Sequence, residues 1–401
     1  MLAHHGFRGK KRVSETGQMQ IAIFSPGFPP EAVGGEEYYA YYQAKELARM
    51  GHNVTVVANG SKEVDRENAF SGTFRVHFVE PAIVKNSALR YAFVTAKFVF
   101  SFLRLKMRPN LIHGHDPYGE GLAAVLAGKI LNVPVVITWH AAELMETRAH
   151  FSIVGNICRL LTLRGACRII VNSAFFKRLI IGFIGDSGLC TKTRVVSPGV
   201  DTDEFSLKSD VSDFRRGLGA QNDLIVLAVC RLEKIKGLSK LICSVPSVLA
   251  SFPNTKFVIV GSGNERESLE ELSKKLHVTD HVTFTGNVQR TFLPYFYSAC
   301  DVFVIPTQGE GFGMAFLEAW SCGKPIIVTR HAPEIMKLVR AHGGGLVVGD
   351  SSLVLSDAIA KLLSSNALRH EMGKIGRYIA ESEYSWKKTA LANVQVYMEL
   401  N

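Results

Sequence analysis

The chain has 401 residues, of which 47% are hydrophobic and 20% charged, and its formal net charge is +10. This length favours two domains, and the composition allows a sizeable core in each. No apolar run reaches the roughly 20 residues of a membrane-spanning helix, so none is predicted. The positive charge leaves nucleic acid, an anionic membrane and phosphorylated substrates as partner classes. No nucleic-acid motif supports the first of these.

The N-terminal segment and the cysteines indicate the compartment. Residues 8–12 are basic, but the apolar run that follows, residues 21–24, is too short for the core of a signal peptide. Residues 1–17 are therefore predicted to be a loose extension. The seven cysteines include no CxxC pair and most lie in apolar runs, which is typical of reduced core residues in a cytoplasmic protein.

The first half begins with a strand, a glycine-containing loop and a helix. The strand is predicted at residues 19–25, the helix at residues 36–50, and a second strand at residues 53–58. This order is typical of a Rossmann-like domain, although the loop lacks GxGxxG and so has no dinucleotide-binding fingerprint. Gly34 and Gly35 open the helix. They either let a phosphate or an acceptor approach bare backbone, or they only form a turn.

A long helix is predicted at residues 86–107. Arg90, Lys97 and Arg104 recur every seven residues and therefore share one face, while the rest is rich in phenylalanine and aliphatic residues. One interpretation is an ordinary helix that packs on its sheet and exposes a basic stripe. The other is a helix that rests on an anionic membrane surface. The repeated charges argue against its spanning a bilayer.

Polar residues end two further predicted strands of the first half, at residues 110–113 and 135–138. Open parallel sheets bind ligands at the carboxyl ends of their strands, so we expect a site here. A metal site needs a fixed ligand geometry, which this loose grouping does not establish, so no metal is predicted. A histidine after a strand is also often structural. The residues are His113, His115, Asp116 and His140.

A turn-rich segment at residues 197–201, SPGVD, separates the two halves. The chain is predicted to divide there into two domains, with a short segment at each end. The predicted segments are the extension at residues 1–17, a first domain at 18–198, a second domain at 199–383 and a closing helix at 384–401.

The second half repeats the pattern of strand, loop and helix. A strand is predicted at residues 224–229, and residues 230–238 form a basic loop that leads into a helix. Arg231 and Lys236 frame the loop, and Gly237 permits close approach. An arginine can clamp a pyrophosphate through two donors, while a lysine acts as a point charge. The loop is therefore either a diphosphate site or a pair of solvated cations.

The most informative stretch is residues 301–330. An apolar strand at residues 302–305 leads to a glycine-rich loop, a helix at residues 314–322 and another apolar strand, which predicts a buried parallel βαβ unit. Glycines at a helix start expose backbone N–H groups that favour anionic oxygens. Glu310 in the loop and Glu318 in the helix therefore suit a ligand with both hydroxyls and phosphates.

This stretch resembles the glycogen-synthase-like, retaining, metal-independent glycosyltransferases of family four, which have the GT-B fold. Their hallmark is two glutamates eight positions apart in a segment like EGFGxxxxE, and this chain has EGFGMAFLE at residues 310–318. The SPGVD turn is similar to the family's interdomain linker. The basic loop keeps the family's Arg, Leu, Lys and Gly but has Cys230 in place of its first glycine. The family's GG-x-PE run is replaced by HAPE at residues 331–334.

The resemblance implies an α/β protein with two Rossmann-like domains facing each other across a cleft and a C-terminal helix that crosses back to the first domain. It implies retaining transfer of a sugar from a UDP- or GDP-sugar to a hydroxyl acceptor, with neither metal nor cofactor. A lipid-linked acceptor or a growing glycan fits the family. A cytoplasmic location is expected, either free or peripheral at the cytoplasmic face of the membrane, without a nucleic-acid partner.

The resemblance also implies roles for single residues. Arg231 and Lys236 would neutralise the leaving diphosphate, and Glu310 and His140 would contact hydroxyls of the donor sugar. Glu318 would hold the ribose. Other donor-binding residues would be Gly311, Phe312, Gly313, Gly261, Gly263, Asn287 and Val288. The acceptor side would include Gly34, Gly35 and Asp116.

Two other functions remain open at this point. A nucleotide-sugar epimerase on the same fold would need a donor but no acceptor. A non-catalytic module that binds nucleotide sugars would be favoured if Arg231 or Glu310 were missing, and both are present.

Overall fold

The computed structural model describes residues 17–30, 34–61, 73–81, 87–140, 144, 153–185 and 187–400. Contacts divide the chain into two compact units. The first unit contains Met1–Ser197 and Trp386–Asn401, and the second contains Pro198–Ser385. The predicted extension at residues 1–17 lies outside the described residues except for Gly17.

The first unit is built on a parallel sheet of seven strands in the order β3-β2-β1-β4-β5-β6-β7. Its inner strands are short apolar runs, as expected for a parallel sheet covered on both faces. The strands are β1 (Gln20–Ser25), β2 (Asn53–Asn59), β3 (Arg75–Val79), β4 (Leu111–His115), β5 (Val135–Trp139), β6 (Arg168–Val171) and β7 (Thr193–Val195). The helices are α1 (Gly35–Arg49), α2 (Ser87–Arg104), α3 (Gly119–Leu131), α4 (Ile153–Gly165), α5 (Ala174–Ile184), α6 (Ser187–Lys192) and, from the C-terminus, α15 (Trp386–Met398).

The closing helix α15 packs on α1. The Trp386 ring stacks on Tyr42, with centroids 5.0 Å apart and an interplanar angle of 9°. Beyond the helix, Glu399 forms ion pairs with Arg168 at 2.9 Å and with Arg194 at 2.8 Å. The end of the chain therefore belongs to the first unit by its contacts.

The second unit is built on a parallel sheet of six strands in the order β10-β9-β8-β11-β12-β13. The strands are β8 (Leu224–Val229), β9 (Thr255–Val260), β10 (Val282–Gly286), β11 (Val302–Ile305), β12 (Ile326–Thr329) and β13 (Gly345–Val348). The helices are α7 (Ser212–Gly217), α8 (Leu238–Ser251), α9 (Arg266–Lys275), α10 (Leu293–Ala299), α11 (Ala315–Ser321), α12 (Pro333–His342), α13 (Ser352–Leu363) and α14 (Asn366–Glu383).

Both sheets confirm the two predicted Rossmann-like domains. In each sheet the strand order reverses once, between β1 and β4 in the first unit and between β8 and β11 in the second. The loops at the carboxyl ends diverge at such a switch point and leave a crevice for a ligand. The sequence-predicted site residues follow these strands.

One strand differs from its prediction in a way that matters for the site. The sequence places His113 at the end of a strand and His115 in the loop after it, whereas β4 continues to His115. The extension is paired on the side of β5, where His115 lies opposite Thr138. Both histidine side chains are consequently buried in the fold and do not lie in an open loop.

The cysteines only partly match the prediction of reduced core residues. All seven are free thiols, and Cys158, Cys300 and Cys322 are buried. Cys190 and Cys243 are exposed, because the helices that carry them turn those positions towards solvent.

Candidate functional site

Lys236 and Glu310 meet at the switch point of the second sheet. Lys236 ends a short 3-10 turn, Lys234–Lys236, and Glu310 lies in the loop after β11. Lys236 Nζ lies 2.6 Å from Glu310 Oε2, and both side chains are largely buried. Burial alone would lower the pKa of Lys236, but the Glu310 carboxylate and its hydrogen bond outweigh burial and raise that pKa. The lysine is therefore a fixed positive charge beside a carboxylate.

Hydrogen bonds fasten the loop after β11 to the 3-10 turn. The Thr307 hydroxyl donates to the Ile235 carbonyl at 3.1 Å, and the Gln308 N–H donates to the same carbonyl at 2.7 Å. Gly237 has a φ of 67°, and a Cβ there would lie 2.0 Å from the Pro306 carbonyl oxygen. A larger residue would force the two loops apart, so this glycine is required to bring Lys236 to Glu310.

Arg231 lies on the same loop as Lys236, and its side chain is exposed. Its Nη1 is 2.5 Å from Glu233 Oε1, and the arginine side chain is 63% exposed. An exposed ion pair contributes little to stability. The guanidinium can therefore exchange Glu233 for an anionic ligand at small cost.

The glycine loop before α11 packs against the Glu310 carboxylate. Phe312 is 3% exposed and packs on Phe316, with ring centroids 5.3 Å apart, so its side chain belongs to the core. Gly313 has a φ of 65°, and a Cβ there would lie 3.0 Å from Glu310 Cδ. Glycine therefore lets the Glu310 carboxylate fold against the loop. Gly311 lies between Glu310 and Phe312, and a pocket borders Lys236, Glu310 and Gly313.

Glu318 is buried in α11 and held at both carboxylate oxygens. Arg290 Nη1 lies 3.0 Å from Oε1, and the Tyr297 hydroxyl donates to Oε2 at 2.8 Å. Burial and then the Glu318 charge raise the pKa of Tyr297 well above its usual value, so the hydroxyl stays protonated and donates. A carboxylate has about four acceptor sites. About two therefore remain for hydroxyls of a ligand.

Arg290 connects Glu318 to the turn after β10. It lies three residues beyond Asn287, and its guanidinium also pairs with Glu204 at 3.3 Å. Val288, in the same turn, packs on the hydrophobic core of the second unit. The turn and Glu318 are thus linked by one largely buried arginine.

Gly261 and Gly263 pack closely against the backbone of the basic loop. A Cβ at Gly261 would lie 2.0 Å from the Cys230 carbonyl oxygen, and one at Gly263 would lie 2.3 Å from the Leu232 carbonyl oxygen. The Gly261 N–H also donates to the Gly286 carbonyl at 2.9 Å. Both glycines therefore have a packing reason to be glycine, whether or not a ligand touches them.

The acceptor-side candidates of the first unit lie at the start of α1 and after β4. Gly34 caps α1 and Gly35 is its first residue. Asp116 follows β4 with a φ of 59°, and its N–H donates to the Thr138 carbonyl at 2.8 Å. Glu36 shares a hydrogen bond with Asp116, and burial, followed by the Asp116 charge, raises the pKa of Glu36 well above its usual value.

His140 is the end of a stack of three imidazoles. The His113 and His115 ring centroids are 5.1 Å apart, the His115 and His140 centroids are 5.5 Å apart, and the interplanar angles are 7° and 15°. Burial lowers the pKa of His113 to about 3 and that of His140 to about 4. Burial also lowers the pKa of His115 well below its usual value. All three rings are therefore neutral near pH 7.

The predicted site residues thus fall into two groups, one in each unit. Lys236 and Glu310 are in direct contact, whereas Arg231 and Glu318 are held by neighbours that the sequence did not suggest. The second-unit group is Arg231, Lys236, Gly261, Gly263, Asn287, Val288, Glu310, Gly311, Phe312, Gly313 and Glu318. The first-unit group is Gly34, Gly35, Asp116 and His140.

Sequence reasoning missed the residues that hold these groups in place. Arg290 and Tyr297 bind Glu318, and Gln43 and Tyr397 connect the buried histidines. Of these four residues, only Arg290 could have been suggested by the sequence, because it closely follows a predicted glycine turn. The others lie in helices, where a single polar residue among apolar ones forms no motif.

Two family models match the chain, one in each half. The model described as Glycosyltransferase Family 4 matches residues 33–204. The model described as Glycosyl transferases group 1 matches residues 210–378. The chain belongs to the group 1 glycosyltransferases. The predicted family and the GT-B fold class are thereby confirmed.

This glycosyltransferase is similar to an uncharacterised glycosyltransferase of Methanocaldococcus jannaschii, with 29% identity over 392 residues, which are 94% of this chain and 98% of the relative. It is 31% identical over 198 residues to the GDP-mannose-dependent alpha-(1-6)-phosphatidylinositol monomannoside mannosyltransferase of Mycolicibacterium smegmatis, covering 47% of this chain and 52% of the relative. Among solved structures, Anabaena HepE in complex with UDP and glucose aligns with a TM-score of 0.77 and 22% identity, over 95% of this chain and 99% of that chain.

Proposed function

We propose that this glycosyltransferase moves a sugar from a UDP- or GDP-sugar to a hydroxyl acceptor, with retention at the anomeric carbon and without a metal ion. The observation that carries the proposal is the Lys236–Glu310 pair at the switch point of the second sheet, with Arg231 on the same loop. Cations and a hydroxyl-binding carboxylate lie together where a parallel sheet binds its ligand.

The cations neutralise the charge of the leaving diphosphate. Negative charge develops on the diphosphate as the glycosidic bond breaks, and groups already in place to neutralise it lower the barrier. Lys236 is fixed by Glu310, while the exposed Arg231 can turn from Glu233 to a phosphate. These two charges and the backbone of the glycine loop take the role that a metal ion plays in other sugar transferases.

The carboxylates accept hydrogen bonds from hydroxyls of the donor. Glu318 keeps free acceptor sites although Arg290 and Tyr297 hold it, so it binds the ribose. Glu310 contacts the sugar hydroxyls. In a retaining transfer, the acceptor attacks the face that the diphosphate leaves, and a diphosphate oxygen takes the acceptor's proton.

The donor is tested by a thermal-shift screen of the full-length protein with UDP-glucose, GDP-mannose and ADP-glucose. A ligand at 100 times its Kd stabilises the fold by about 2.7 kcal/mol, which raises Tm by a few degrees. We expect a shift with a UDP- or GDP-sugar. The donor that stabilises is then incubated alone, with EDTA present. Free sugar and nucleoside diphosphate support a transferase, an epimer of the donor would identify an epimerase, and no shift with any donor would refute the proposal.

We further propose that α2 rests on an anionic membrane, where the acceptor is lipid-linked. Phe93 and Phe100 are more than half exposed on this helix, on the side that carries Arg90 and Arg104. The Arg104 guanidinium lies 4.3 Å from the Phe100 ring centroid. The neighbouring α4 adds exposed apolar side chains at Ile153, Ile157 and Leu161. None of the helices in the described parts of the chain is long and apolar enough to cross a membrane.

The name of the Mycolicibacterium relative specifies a phosphatidylinositol mannoside substrate, which supports a lipid acceptor here. The test is co-sedimentation with phosphatidylserine-containing vesicles at low salt. The triple variant Arg90→Glu, Lys97→Glu and Arg104→Glu should bind much less, because each cation near the surface is worth about 1 kcal/mol. Reversal of the exposed Lys274, Lys275 and Lys361 on the second unit is the matched control. Wild-type protein that ignores these vesicles would contradict the membrane proposal.

A further inference from the structure

A second group of charged side chains lies beside the Lys236–Glu310 pair. Lys240 in the first turn of α8, His331 after β12 and Asp350 after β13 come together at the carboxyl edge of the second sheet. We call these three residues the loop clamp. The Lys240 ammonium pairs with Asp350 Oδ1, and His331 Nε2 lies 3.3 Å from Asp350 Oδ2. One carboxylate therefore joins the start of a helix to the loops of two different strands.

The loop clamp is connected to Glu310 through the backbone. The Glu310 N–H donates to the His331 carbonyl at 3.1 Å. At the other end of the clamp, the Lys240 N–H donates to the Gly237 carbonyl at 3.0 Å, and Gly237 directly follows Lys236. Together with the Lys236–Glu310 ion pair at 2.6 Å, these contacts form a closed ring. The ring ties the position of Glu310 to the side chain of His331.

The Asp350 carboxylate is ionised near neutral pH. The hydrogen bond from Lys240 lowers the pKa of Asp350 below its usual value, and the nearby His331 acts in the same direction. An ionised carboxylate only accepts hydrogen bonds, so it favours the form of the imidazole that has a proton on Nε2. That nitrogen is shielded from solvent, so its interaction with the carboxylate faces little competition from water.

His331 stands where the sequence departs from the family's pattern. The family's run at this point is GG-x-PE, whereas residues 331–334 are HAPE. A glycine has no side chain, so the contact with Asp350 requires the histidine. The start of the same loop is held separately, because the Thr329 hydroxyl donates to the Thr307 carbonyl. The loop clamp therefore holds the part of the loop beyond Thr329, where the Glu310 N–H binds.

We propose that the loop clamp positions Glu310 for the donor sugar. Lys240, His331 and Asp350 are positioning residues, because they act on Glu310 through the His331 carbonyl. This inference rests on the proposed function, in which Glu310 contacts the sugar. The side chains of Lys240, Asp350 and His331 are 21%, 33% and 34% exposed, and partly exposed ion pairs contribute little to stability. The clamp should therefore affect turnover more than unfolding, since a small misplacement of a catalytic group lowers the rate.

The direct test is hydrogen–deuterium exchange of the full-length protein, followed by mass spectrometry of the peptides that contain residues 308–313. We expect faster exchange of these amides in His331→Ala and in Asp350→Ala than in wild type, because the Glu310 N–H loses a fixed acceptor. His331→Gln keeps a side-chain N–H for Asp350, so its exchange should stay close to wild type. Glu270→Gln is the matched control, since it breaks an exposed ion pair on α9. Wild-type exchange in both alanine variants would overturn the proposal.

The kinetic test uses the same variants with the UDP- or GDP-sugar found by the thermal screen. Each alanine variant should lower kcat by about tenfold, less than a misplacement of about 1 Å can cause, with Tm and the affinity for UDP and GDP nearly unchanged. His331→Gln and Glu270→Gln should turn over like wild type. Faster exchange with an unchanged kcat, or a loss of kcat accompanied by a loss of Tm or of nucleotide affinity, would refute the positioning role. Faster exchange in the alanine variants of a protein that no UDP- or GDP-sugar stabilises would support the clamp and refute the proposed function.

Discussion

The two sheets have the same kind of switch point, but one carries charged side chains and the other carries neutral imidazoles. In the second unit, oppositely charged side chains meet as Lys236 with Glu310 and as Arg290 with Glu318. In the first unit, the corresponding edge of the sheet holds neutral imidazoles, with His140 at the end of the stack. Burial is strong in both places, but the paired side chains of the second unit keep their charges because each has a partner within hydrogen-bond distance, whereas the three imidazoles are neutral.

The difference indicates what each edge is suited to bind. Paired charges are already in position to exchange partners with a charged diphosphate, whereas a neutral acceptor nitrogen suits a sugar hydroxyl. The corresponding loops of two sheets with the same topology therefore differ in ligand chemistry through the side chains that they carry. Variants that change one edge and leave the other intact test whether the two edges differ in this way.

The largest effect is expected from removing a cation at the second edge. Arg231→Ala and Lys236→Ala should each lower kcat by roughly 10²–10³-fold, the usual loss for one preorganised charge-stabilising group. Steady-state kinetics with the donor found by the thermal screen measures this. Lys234→Ala removes an exposed lysine from the same turn and should be nearly neutral. Turnover should continue with EDTA, and wild-type rates in Arg231→Ala would contradict the role of the cations.

A second prediction concerns stability within the charged edge. Glu318→Ala removes one carboxylate from the largely buried Arg290, which still pairs with Glu204, so the free energy of unfolding should fall by roughly 3 kcal/mol. Glu233→Ala breaks the exposed pair with Arg231 and should lower the free energy of unfolding by less than about 1 kcal/mol. Urea unfolding followed by circular dichroism gives both values. Similar losses in the two variants would show that burial does not distinguish the pairs.

The smallest effect is an acid sensitivity confined to the first unit. Burial lowers the folded-state pKa of His140 to about 4, whereas an unfolded histidine has a pKa of about 6.5. Between these values the unfolded state binds more protons, so stability is full above about pH 6.5 and falls as the pH drops towards 4. For His140 alone the loss from pH 7 to pH 5 is about 2 kcal/mol.

This loss is measured by urea unfolding in a Trp320→Phe background, where the fluorescence of Trp139 and Trp386 reports on the first unit. In His140→Gln, the loss of unfolding free energy of that unit from pH 7 to pH 5 should be about 2 kcal/mol smaller than in wild type. A pH dependence identical to wild type in His140→Gln would mean that this imidazole titrates normally in the folded protein.

The sequence predicted the charged edge better than the neutral one. Glu310, Gly313 and Glu318 lie within nine consecutive residues and Lys236 follows a predicted strand, so local pattern and strand order suffice to bring them to one edge. In the first unit, Gln43 donates a hydrogen bond to the Tyr397 hydroxyl, although the two residues are 354 positions apart. Each looks like an ordinary helical residue in the sequence, and only the folded position of α15 brings them together.

The same reason explains the errors in the first half. The prediction ended β4 at His113 because histidine, glycine and aspartate are typical of a loop, whereas pairing of His115 with Thr138 on β5 extends the strand. Strand ends depend on neighbours in the sheet, which a local pattern does not contain. The boundaries of α1 and β5 were correct to within one residue, because glycines flank α1 in the sequence and β5 is a continuous apolar run.

The central claim is that the second unit binds the nucleotide through Glu318 while Glu310 acts on the sugar. Isothermal titration of UDP and GDP into wild type, Glu318→Gln and Glu310→Gln tests it most directly. Glu318→Gln should weaken nucleotide binding by roughly tenfold, because a hydrogen bond to a charged group is lost. Glu310→Gln should leave nucleotide affinity nearly intact and lower turnover of the nucleotide sugar. Equal losses of nucleotide affinity in the two variants would contradict this division of roles.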